Sequence, residues 1–227
     1  MKIWVVNDDG INSEGIKTLA RHAAGFGDVT VIAPVNQCSG MSSYITLGLY
    51  GEPRTEDKFQ KVPFAVEGVD AYAVKGTPTD CVIMGEHFLK EKPDILFSGI
   101  NRGENAGIDI LYSGTIGAAM EALVREIPAI AFSQRWEMET FELIDQEIDG
   151  IIKELLSRKL PANQIWNVNF PAFMPEDFKG ILWDRVPSQR RYGKTAEETD
   201  DVENADRVAL DRGYISIGTI TNMALVP

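Results

Sequence analysis

The sequence contains few cysteines and few histidines, and this excludes several classes of functional site. Two cysteines, Cys38 and Cys81, occur among 227 residues, and they do not form a CxxC pair. A disulfide scaffold and a cysteine-rich zinc site are therefore excluded, and a reducing compartment is expected. The two histidines, His22 and His87, both fall in predicted helices. We therefore expect neither a histidine-based catalytic triad nor a histidine-rich metal site.

Basic residues and long apolar runs are also scarce. The chain has 22 Lys and Arg against 34 Asp and Glu, which gives a formal net charge of -12 at pH 7. This balance argues against a broad basic surface for nucleic-acid polymers. The opening MKIWVVNDDG reaches charged residues after a short apolar run, so neither a signal peptide nor a membrane span is expected there. These features predict a cytoplasmic protein with no nucleic-acid or membrane partner.

The apolar pattern predicts an α/β fold. Short runs rich in Val and Ile alternate with longer amphipathic segments, which is typical of a mostly parallel sheet flanked by helices. The length and the 44% hydrophobic content fit one domain, with a core over about residues 1–180 and a polar arm and extension over 181–227. Strands are predicted at residues 3–6, 29–33, 95–98, 129–132 and 165–168. Helices are predicted at 13–24, after Thr77, from about 113–115 onward, and at 139–158.

The C-terminal part changes in composition. Residues 184–206 are charged and polar, with two arginines followed by an acidic stretch, so a solvated loop or arm is expected. Residues 213–218, GYISIG, return to a strand-like pattern. We expect this segment to pair at a sheet edge or with another subunit.

Polar residues follow three of the predicted strands, at residues 7–10, 36–40 and 99–105. Ligands of open α/β sheets bind beyond the carboxyl ends of the strands, so these segments are expected at one edge. Two adjacent carboxylates, Asp8 and Asp9, repel each other unless a cation neutralises them. Oxygen donors of this kind favour Mg²⁺ or Mn²⁺ over zinc. A simple turn with a helix cap accounts for Asp8-Asp9-Gly10 about equally well.

A second anion-binding feature is the run YSGTIGAAME at residues 112–121. Hydroxyl groups and a glycine precede a helix of small residues, so backbone N–H groups and the positive end of the helix dipole are offered to an anion. An ordinary capped helix explains the same spacing equally well. The run does not match the GxxxxGK[ST] loop of nucleoside triphosphatases.

In this order, the segments resemble the survival protein E (SurE) family of nucleotidases. The resemblance runs through most of the chain to Pro171 and includes the late strand. It rests on residues 7–11 with 15–16, 33–34 with 37–40, 98–101 with 103, 105 and 107, 112–115 with 117–119 and 121, 167–171 and 213–217.

The resemblance implies a Rossmann-like core, one divalent metal ion (Mg²⁺ or Mn²⁺) per subunit, and a phosphate site. It implies hydrolysis of nucleoside 5′-monophosphates, with 3′-monophosphates and short polyphosphate as further substrates in the family. It also implies a homodimer or homotetramer that exchanges C-terminal segments. The implied metal ligands are Asp8, Asp9, Ser39 and Asn101, and the implied phosphate-binding residues are Asn105, Ser113, Gly114 and Thr115.

Two segments depart from the family pattern. Residues 42–46 read SSYIT where the family often has Ser-His-Ser-Ile-Thr, so any role of that histidine is absent. Residues 184–206 are short against the family's usual arm, which bears on subunit exchange and base specificity. Neither departure changes the four implied metal ligands.

Several mechanisms are compatible with these residues. In the first, a water attacks phosphorus while Asp8 orients or deprotonates it, with Asp8 and Asp9 as the catalytic pair. In the second, a carboxylate forms an aspartyl-phosphate; haloacid-dehalogenase-type phosphatases, however, resemble Asp-x-Asp-x-Thr here, and these acids are adjacent. A signalling receiver is disfavoured by the chain length and by the lack of an Asp after Ser98 and a Lys after Phe132. A non-catalytic nucleotide sensor on the same fold stays open.

Overall fold

The computed structural model describes residues 1–46, 53–189 and 202–225. Within these residues, the strands are β1 (Lys2–Val6), β2 (Asp28–Pro34), β3 (Phe59–Val62), β4 (Asp70–Val74), β5 (Ile95–Arg102), β6 (Ala129–Gln134), β7 (Gln164–Phe170), β8 (Ile181–Arg185) and β9 (Ile215–Thr221). The α-helices are α1 (Glu14–Ala23), α2 (Pro78–Leu89), α3 (Gly114–Val124), α4 (Glu142–Ser157) and α5 (Asp206–Asp211). Short 3₁₀ turns lie at Glu56–Lys58, Gly107–Leu111, Pro175–Asp177 and Met223–Leu225.

The strands form one sheet in the order β3-β4-β2-β1-β5-β6-β7-β9-β8. From β4 to β7 every neighbouring pair is parallel, and β1 lies between β2 and β5. The predicted α/β class and all five predicted strands are confirmed. Because β2, β1 and β5 are parallel neighbours, the polar segments that follow them meet at one edge of the sheet.

Strand β5 is longer than the sequence indicates. It was expected to end at Ser98, but it continues to Arg102, with a shift of register against β6 between Ser98 and Asn101. Gly99 in this irregular stretch has φ +134, and a Cβ there would lie 2.2 Å from the Phe132 carbonyl oxygen. Asn101 is therefore held in a strand and not in the expected loop.

Apolar side chains fill both faces of the sheet, as two-sided burial requires. One face packs against α1 and α4 through residues such as Ile16 and Ile148, and the other packs against α2 and α3 through residues such as Met84 and Ala118. Helices α1, α2 and α3 begin at residues whose side chains cap the first turn, Ser13, Thr77 and Ser113. Thr77 forms a capping box with Asp80, and α4 begins at Glu142, three residues later than predicted.

Both histidines lie in helices, as predicted. His22 in α1 contacts the carboxylates of Asp145 and Asp149 on α4, and Arg21 pairs with Asp145 as well. His87 packs edge-on against Phe88. Along the three described ranges, no helix combines the length and apolar character that crossing a membrane requires.

The C-terminal strand does not lie where the sequence suggested. Strand β9 is inside the sheet, antiparallel to β7 and parallel to β8, so its predicted place at a sheet edge is wrong. Its buried Ile215 and Ile217 extend the core on one face of the sheet. Strand β8 forms this edge of the sheet. Strands β3, β4 and β8 are not predicted from the sequence, because they are short and, unlike β1, are not rich in Val and Ile.

The predicted solvated arm is wrong at several positions near its two ends. Arg185 ends β8, and Ser188, Ala205 and Asp206 are buried. Residues 190–201, the centre of the predicted arm, lie outside the described residues. Both ends of the segment therefore contribute buried residues to the fold, and Asp206 begins helix α5.

Candidate metal and phosphate site

Asp8 lies at the carboxyl end of β1 and is only 2% exposed. Its carboxylate Oδ1 accepts a hydrogen bond from the Thr115 hydroxyl at 2.7 Å. Burial raises the pKa of Asp8 to about 6; the Thr115 hydrogen bond opposes this shift and the neighbouring Asp9 charge adds to it. An ionised Asp8 is therefore costly in the protein alone, and a cation beside it would remove that cost.

Asp9 is partly exposed and is held by two adjoining segments. The backbone N–H of Arg102, the last residue of β5, donates to Oδ2 at 3.1 Å, and Gln37 Nε2 lies 3.4 Å from Oδ1. Burial raises the pKa of Asp9, and the contacts with Arg102 and Gln37 act in the opposite direction. Asp9 thus joins the segment that follows β2 to the end of β5.

The turn that presents these carboxylates is fixed by Asn7. Its side-chain oxygen accepts from the Gly10 N–H at 3.2 Å, and its amide nitrogen donates to the Ser13 hydroxyl at 2.8 Å. Gly10 has φ +94, a conformation that strongly favours glycine. The turn and the cap of α1 proposed from the sequence are both present, and they orient the two carboxylates.

Ser39 lies next to Asp9 through a shared partner. Gln37 Nε2 donates to the Ser39 hydroxyl oxygen at 3.0 Å and also contacts Asp9. One amide group therefore touches both oxygens, and a bound cation would compete with it for them. No separate role for Gln37 is predicted from the sequence, because its contacts depend on how far the side chain reaches in the folded protein.

Asn101 lies one residue before the Arg102 N–H that binds Asp9. Its amide nitrogen donates to the Gly103 carbonyl at 2.6 Å, so Oδ1 is the atom of this side chain with metal-ligand chemistry. The structure thus brings the segments of Asp8, Asp9, Ser39 and Asn101 to one edge.

This donor set fits a hard divalent cation. It offers two carboxylates, a hydroxyl and an amide oxygen, the ligands that Mg²⁺ and Mn²⁺ accept while leaving positions for water or phosphate. In the described ranges, no group of three or more His, Cys, Asp or Glu side chains is arranged to hold a metal. A metal here would therefore depend on Ser39 and Asn101 in addition to the two carboxylates.

The N-terminus of α3 lies against Asp8. Ser113 caps the helix by accepting from the Ile116 N–H at 3.0 Å, and Thr115 donates to Asp8. The first N–H groups of a helix have no acceptor within the helix, so those of Gly114 and Thr115 are available to an anion. Three of the four predicted phosphate-binding residues therefore adjoin the predicted metal ligands.

Asn105, the fourth, is 3% exposed and is held by strands β6 and β7. Its amide nitrogen donates to the Ser133 hydroxyl at 2.7 Å, and its backbone N–H donates to the Asn169 side chain at 2.7 Å. Asn167 donates to its carbonyl oxygen at 2.8 Å. Ser133 is not predicted from the sequence, because nothing in its local pattern distinguishes it from other strand residues.

Residues 42–46, one of the two segments that depart from the family pattern, also border the site. The Ser42 N–H donates to the Tyr112 carbonyl at 2.9 Å, and the Thr46 hydroxyl donates to Asp80 at 2.6 Å. A Cβ on Gly117 would lie 2.3 Å from the Ser42 carbonyl oxygen. Residues 42–46 therefore cross from the start of α3 to the start of α2, close to Ser113.

Gly114 provides a local test of the site. A Cβ there would lie 2.9 Å from Asp8 Cβ and 3.1 Å from Oδ2, so Gly114→Ala must displace the carboxylate. We expect a loss of about 10- to 100-fold in kcat/KM for phosphate release, as displacement of a reacting group by about 1 Å produces. The measurement is steady-state kinetics with a nucleoside monophosphate, together with thermal unfolding.

Gly150→Ala is the matched control for this change. Gly150 lies in α4, and nothing lies within 4 Å of a Cβ added there. Alanine in a helix interior is more favourable than glycine by about 0.5–1 kcal/mol, so this variant should be slightly more stable and fully active. Equal activity in both alanine variants would show that Gly114 does not adjoin the reacting groups.

Known proteins are similar to this chain over most of its length. A model of the Survival protein SurE family matches residues 3–194. The 5'-nucleotidase SurE of a Thermoanaerobacter species is 39% identical over 243 residues, which cover 97% of this chain and 92% of that protein. The 5'-nucleotidase SurE of Neisseria gonorrhoeae is 36% identical over 236 residues, 96% of this chain and 91% of that protein.

The fold agrees with a solved structure as well. The crystal structure of the SurE protein from Aquifex aeolicus matches with a TM-score of 0.78 and 33% identity, covering 97% of this chain and 93% of that one. The match of the family model over most of the chain, the two similar sequences and this fold lead to one conclusion. The chain belongs to the survival protein SurE family.

Proposed function

We propose that this chain is a metal-dependent phosphatase that hydrolyses nucleoside 5′-monophosphates to nucleoside and phosphate. The observation that carries the proposal is the 2.7 Å hydrogen bond from Thr115 to Asp8. It joins the buried carboxylate of Asp8, which adjoins Asp9, to the anion-binding end of a helix, and these are the two parts that a metal-assisted phosphoryl transfer requires. The name of the similar proteins, 5'-nucleotidase SurE, agrees with this chemistry.

The residues that would hold the cation are Asp8, Asp9, Ser39 and Asn101. When bound, a divalent ion polarises a phosphate oxygen and lowers the pKa of a bound water. One Mg²⁺ or Mn²⁺ per subunit, a homodimer or homotetramer and a cytoplasmic location belong to the same proposal. They are supported by the resemblance to the family and, for the cation, by the oxygen-only donor set.

The protein groups bind the substrate and direct the attacking water. The N–H groups of Gly114 and Thr115 and the capping residue Ser113 bind phosphate oxygens, assisted by the helix dipole. Asn105 binds a further oxygen from the other side, because Ser133 and Asn169 fix its position. Asp8 orients the water for in-line attack, and the Thr115 hydrogen bond holds its carboxylate in one orientation.

The direct test is phosphate release from a panel of nucleoside 5′- and 3′-monophosphates, ribose 5-phosphate and short polyphosphate. Each substrate is assayed with Mn²⁺, with Mg²⁺ and with EDTA. We expect metal-dependent release that is fastest with a 5′-monophosphate and is abolished by EDTA. Nucleotide binding measured by calorimetry without any release would instead indicate the nucleotide sensor, and preferential release from polyphosphate would indicate a polyphosphatase.

A further inference from the structure

The loop between β5 and α3 is held from outside the site by helix α5. The Asp206 carboxylate is 3% exposed, and its Oδ2 accepts from the Gly107 N–H at 2.8 Å. Its Oδ1 accepts from the Ser188 N–H at 2.9 Å and from the Arg207 N–H at 2.7 Å. One buried carboxylate therefore joins the loop, the segment after β8 and the start of α5.

Arg207 adds a second set of contacts to the same loop. Its Nη2 donates to the Ala106 carbonyl at 3.3 Å and forms an ion pair with Asp109. Its Nη1 lies 3.7 Å from the Glu104 carboxylate. Since the guanidinium group is planar and rigid, these contacts fix the path of the loop backbone in addition to neutralising its carboxylates.

The loop is also held from the sheet side. Arg135, at the end of β6, lies 3.5 Å from the Glu104 carboxylate through Nε and donates to Asp211 of α5 at 3.0 Å. Glu104 is thus enclosed between Arg135 and Arg207. Gly107 has φ +58, and a Cβ on it would lie 2.9 Å from the Ser188 carbonyl oxygen, so the backbone packs closely there.

The residues that these contacts enclose belong to the candidate phosphate site. Asn105 follows Glu104 directly, and the loop continues through Asp109, whose carbonyl accepts from the Tyr112 N–H at 3.0 Å, to the cap residue Ser113. A displacement of residues 104–109 would move Asn105 and the start of α3 together. Neither Asp206 nor Arg207 needs to touch a phosphate group to affect its binding.

We infer that Asp206 and Arg207 are positioning residues, which hold residues 104–109 so that Asn105 and Ser113 bind the substrate phosphate in the correct geometry. This inference rests on the proposed function, because it assigns the loop to phosphate binding. It gives the C-terminal helix a role in catalysis that acts only through the loop.

Asp206→Asn tests the inference with little change of shape. Asparagine retains one acceptor oxygen, and its amide nitrogen would face at least one of the three N–H groups that the carboxylate now accepts. We expect kcat/KM for the best nucleotide to fall about tenfold or more, mainly through KM. We also expect faster hydrogen exchange in residues 103–112. The dissociation constant for Mn²⁺, measured by calorimetry without substrate, should stay within about twofold of the wild type.

Asp184→Asn is the matched control, because Asp184 is an exposed residue of β8 that undergoes the same chemical change. It should leave all three measurements unchanged. The inference would be overturned if Asp206→Asn kept the kcat/KM and the hydrogen-exchange rates of the wild type. It would also be overturned if the affinity for Mn²⁺ fell together with kcat/KM, since a general loss of structure would then explain the effect. If Asp206→Asn does not fold, Arg207→Lys should retain more activity than Arg207→Gln, and equal losses would overturn the inference.

The wild-type assay separates this inference from the proposed function. If the native protein releases phosphate and Asp206→Asn does so equally well, only the positioning role fails. If the native protein releases phosphate from no monophosphate, the proposed function fails, and the positioning role fails with it. In that case exchange in residues 103–112 still shows whether Asp206 holds the loop.

Discussion

Asp9→Asn is expected to reduce metal-dependent phosphate release by about 10³-fold or more in kcat/KM. Asparagine has nearly the same shape, and its side-chain oxygen can still accept from the Arg102 N–H that now binds Asp9 at 3.1 Å. The local fold is therefore retained, while one of the two negative charges offered to the cation is lost. Rates should be measured with the best nucleotide over a range of Mn²⁺ concentrations, because part of the loss is expected to be a higher metal requirement.

Asp145→Asn is a suitable control for this variant. Asp145 carries the same group on the surface of α4, where it contacts Arg21 and His22. Exposed ion pairs of this kind contribute about 0–1 kcal/mol, so activity should be unchanged. An Asp9→Asn enzyme that keeps more than about a tenth of the wild-type kcat/KM at moderate Mn²⁺ would contradict the assignment of Asp9 as a ligand.

The covalent mechanism can be tested in the same preparation. Borohydride added during turnover would reduce an aspartyl-phosphate and label the carboxylate that formed it. Direct attack by water predicts no label on either Asp8 or Asp9. A label on Asp8 would replace the water mechanism with a covalent one, and the loss of activity in Asp9→Asn would then reflect loss of the cation only.

Central strands and polar residues at their ends could be predicted from the sequence, because burial on both faces demands continuous apolar runs. The runs at β1, β2 and β5 are of this kind, and their polar ends do meet. Strands β3 and β8 were missed, since FQKV and ILWDR are short and mix polar with apolar residues. A loop is predicted at Asn101 because the irregularity of β5 at Gly99 interrupts the apolar run that marks a buried strand.

The contacts that give the site its properties could not be read from the sequence. Thr115 and Asp8 are 107 positions apart, and Gly107 and Asp206 are 99 positions apart. Family resemblance named Asp8 and Thr115 in separate roles, and the structure shows them hydrogen-bonded to each other. Asp206 was assigned to a solvated arm because its composition is polar, but its burial depends on N–H groups supplied by distant segments.

Asp8→Asn is expected to stabilise the metal-free protein at pH 8. Burial raises the pKa of Asp8 to about 6, against about 4 for an exposed aspartate, so protonation favours the folded state. This contribution is fully present below about pH 4 and is lost as the pH rises through about 6. Above that pH, the ionised carboxylate costs roughly 3 kcal/mol in the absence of a cation. Asparagine avoids this cost and keeps an oxygen that can accept from Thr115.

Thermal unfolding in EDTA at pH 8 and at pH 4 measures this effect. At pH 8 the variant should unfold about 6–12 °C above the wild type, given roughly 2–4 °C per kcal/mol for a chain of this size. At pH 4 the difference should nearly vanish, because Asp8 is then protonated in the folded wild type. Asp184→Asn, an exposed change on β8, should show no such dependence on pH.

Added Mn²⁺ should reduce or reverse the difference in stability between Asp8→Asn and the wild type. A cation that binds only the folded state raises the stability of the wild type, whereas Asp8→Asn lacks the carboxylate proposed as a ligand and should gain little. A variant less stable than the wild type at pH 8 in EDTA would show that Asp8 is already neutralised within the protein. If Asp8→Asn is more stable than the wild type in EDTA and Mn²⁺ does not stabilise it further, the buried carboxylate is retained for its ligand chemistry. Its cost in stability is then offset by the cation in the wild type.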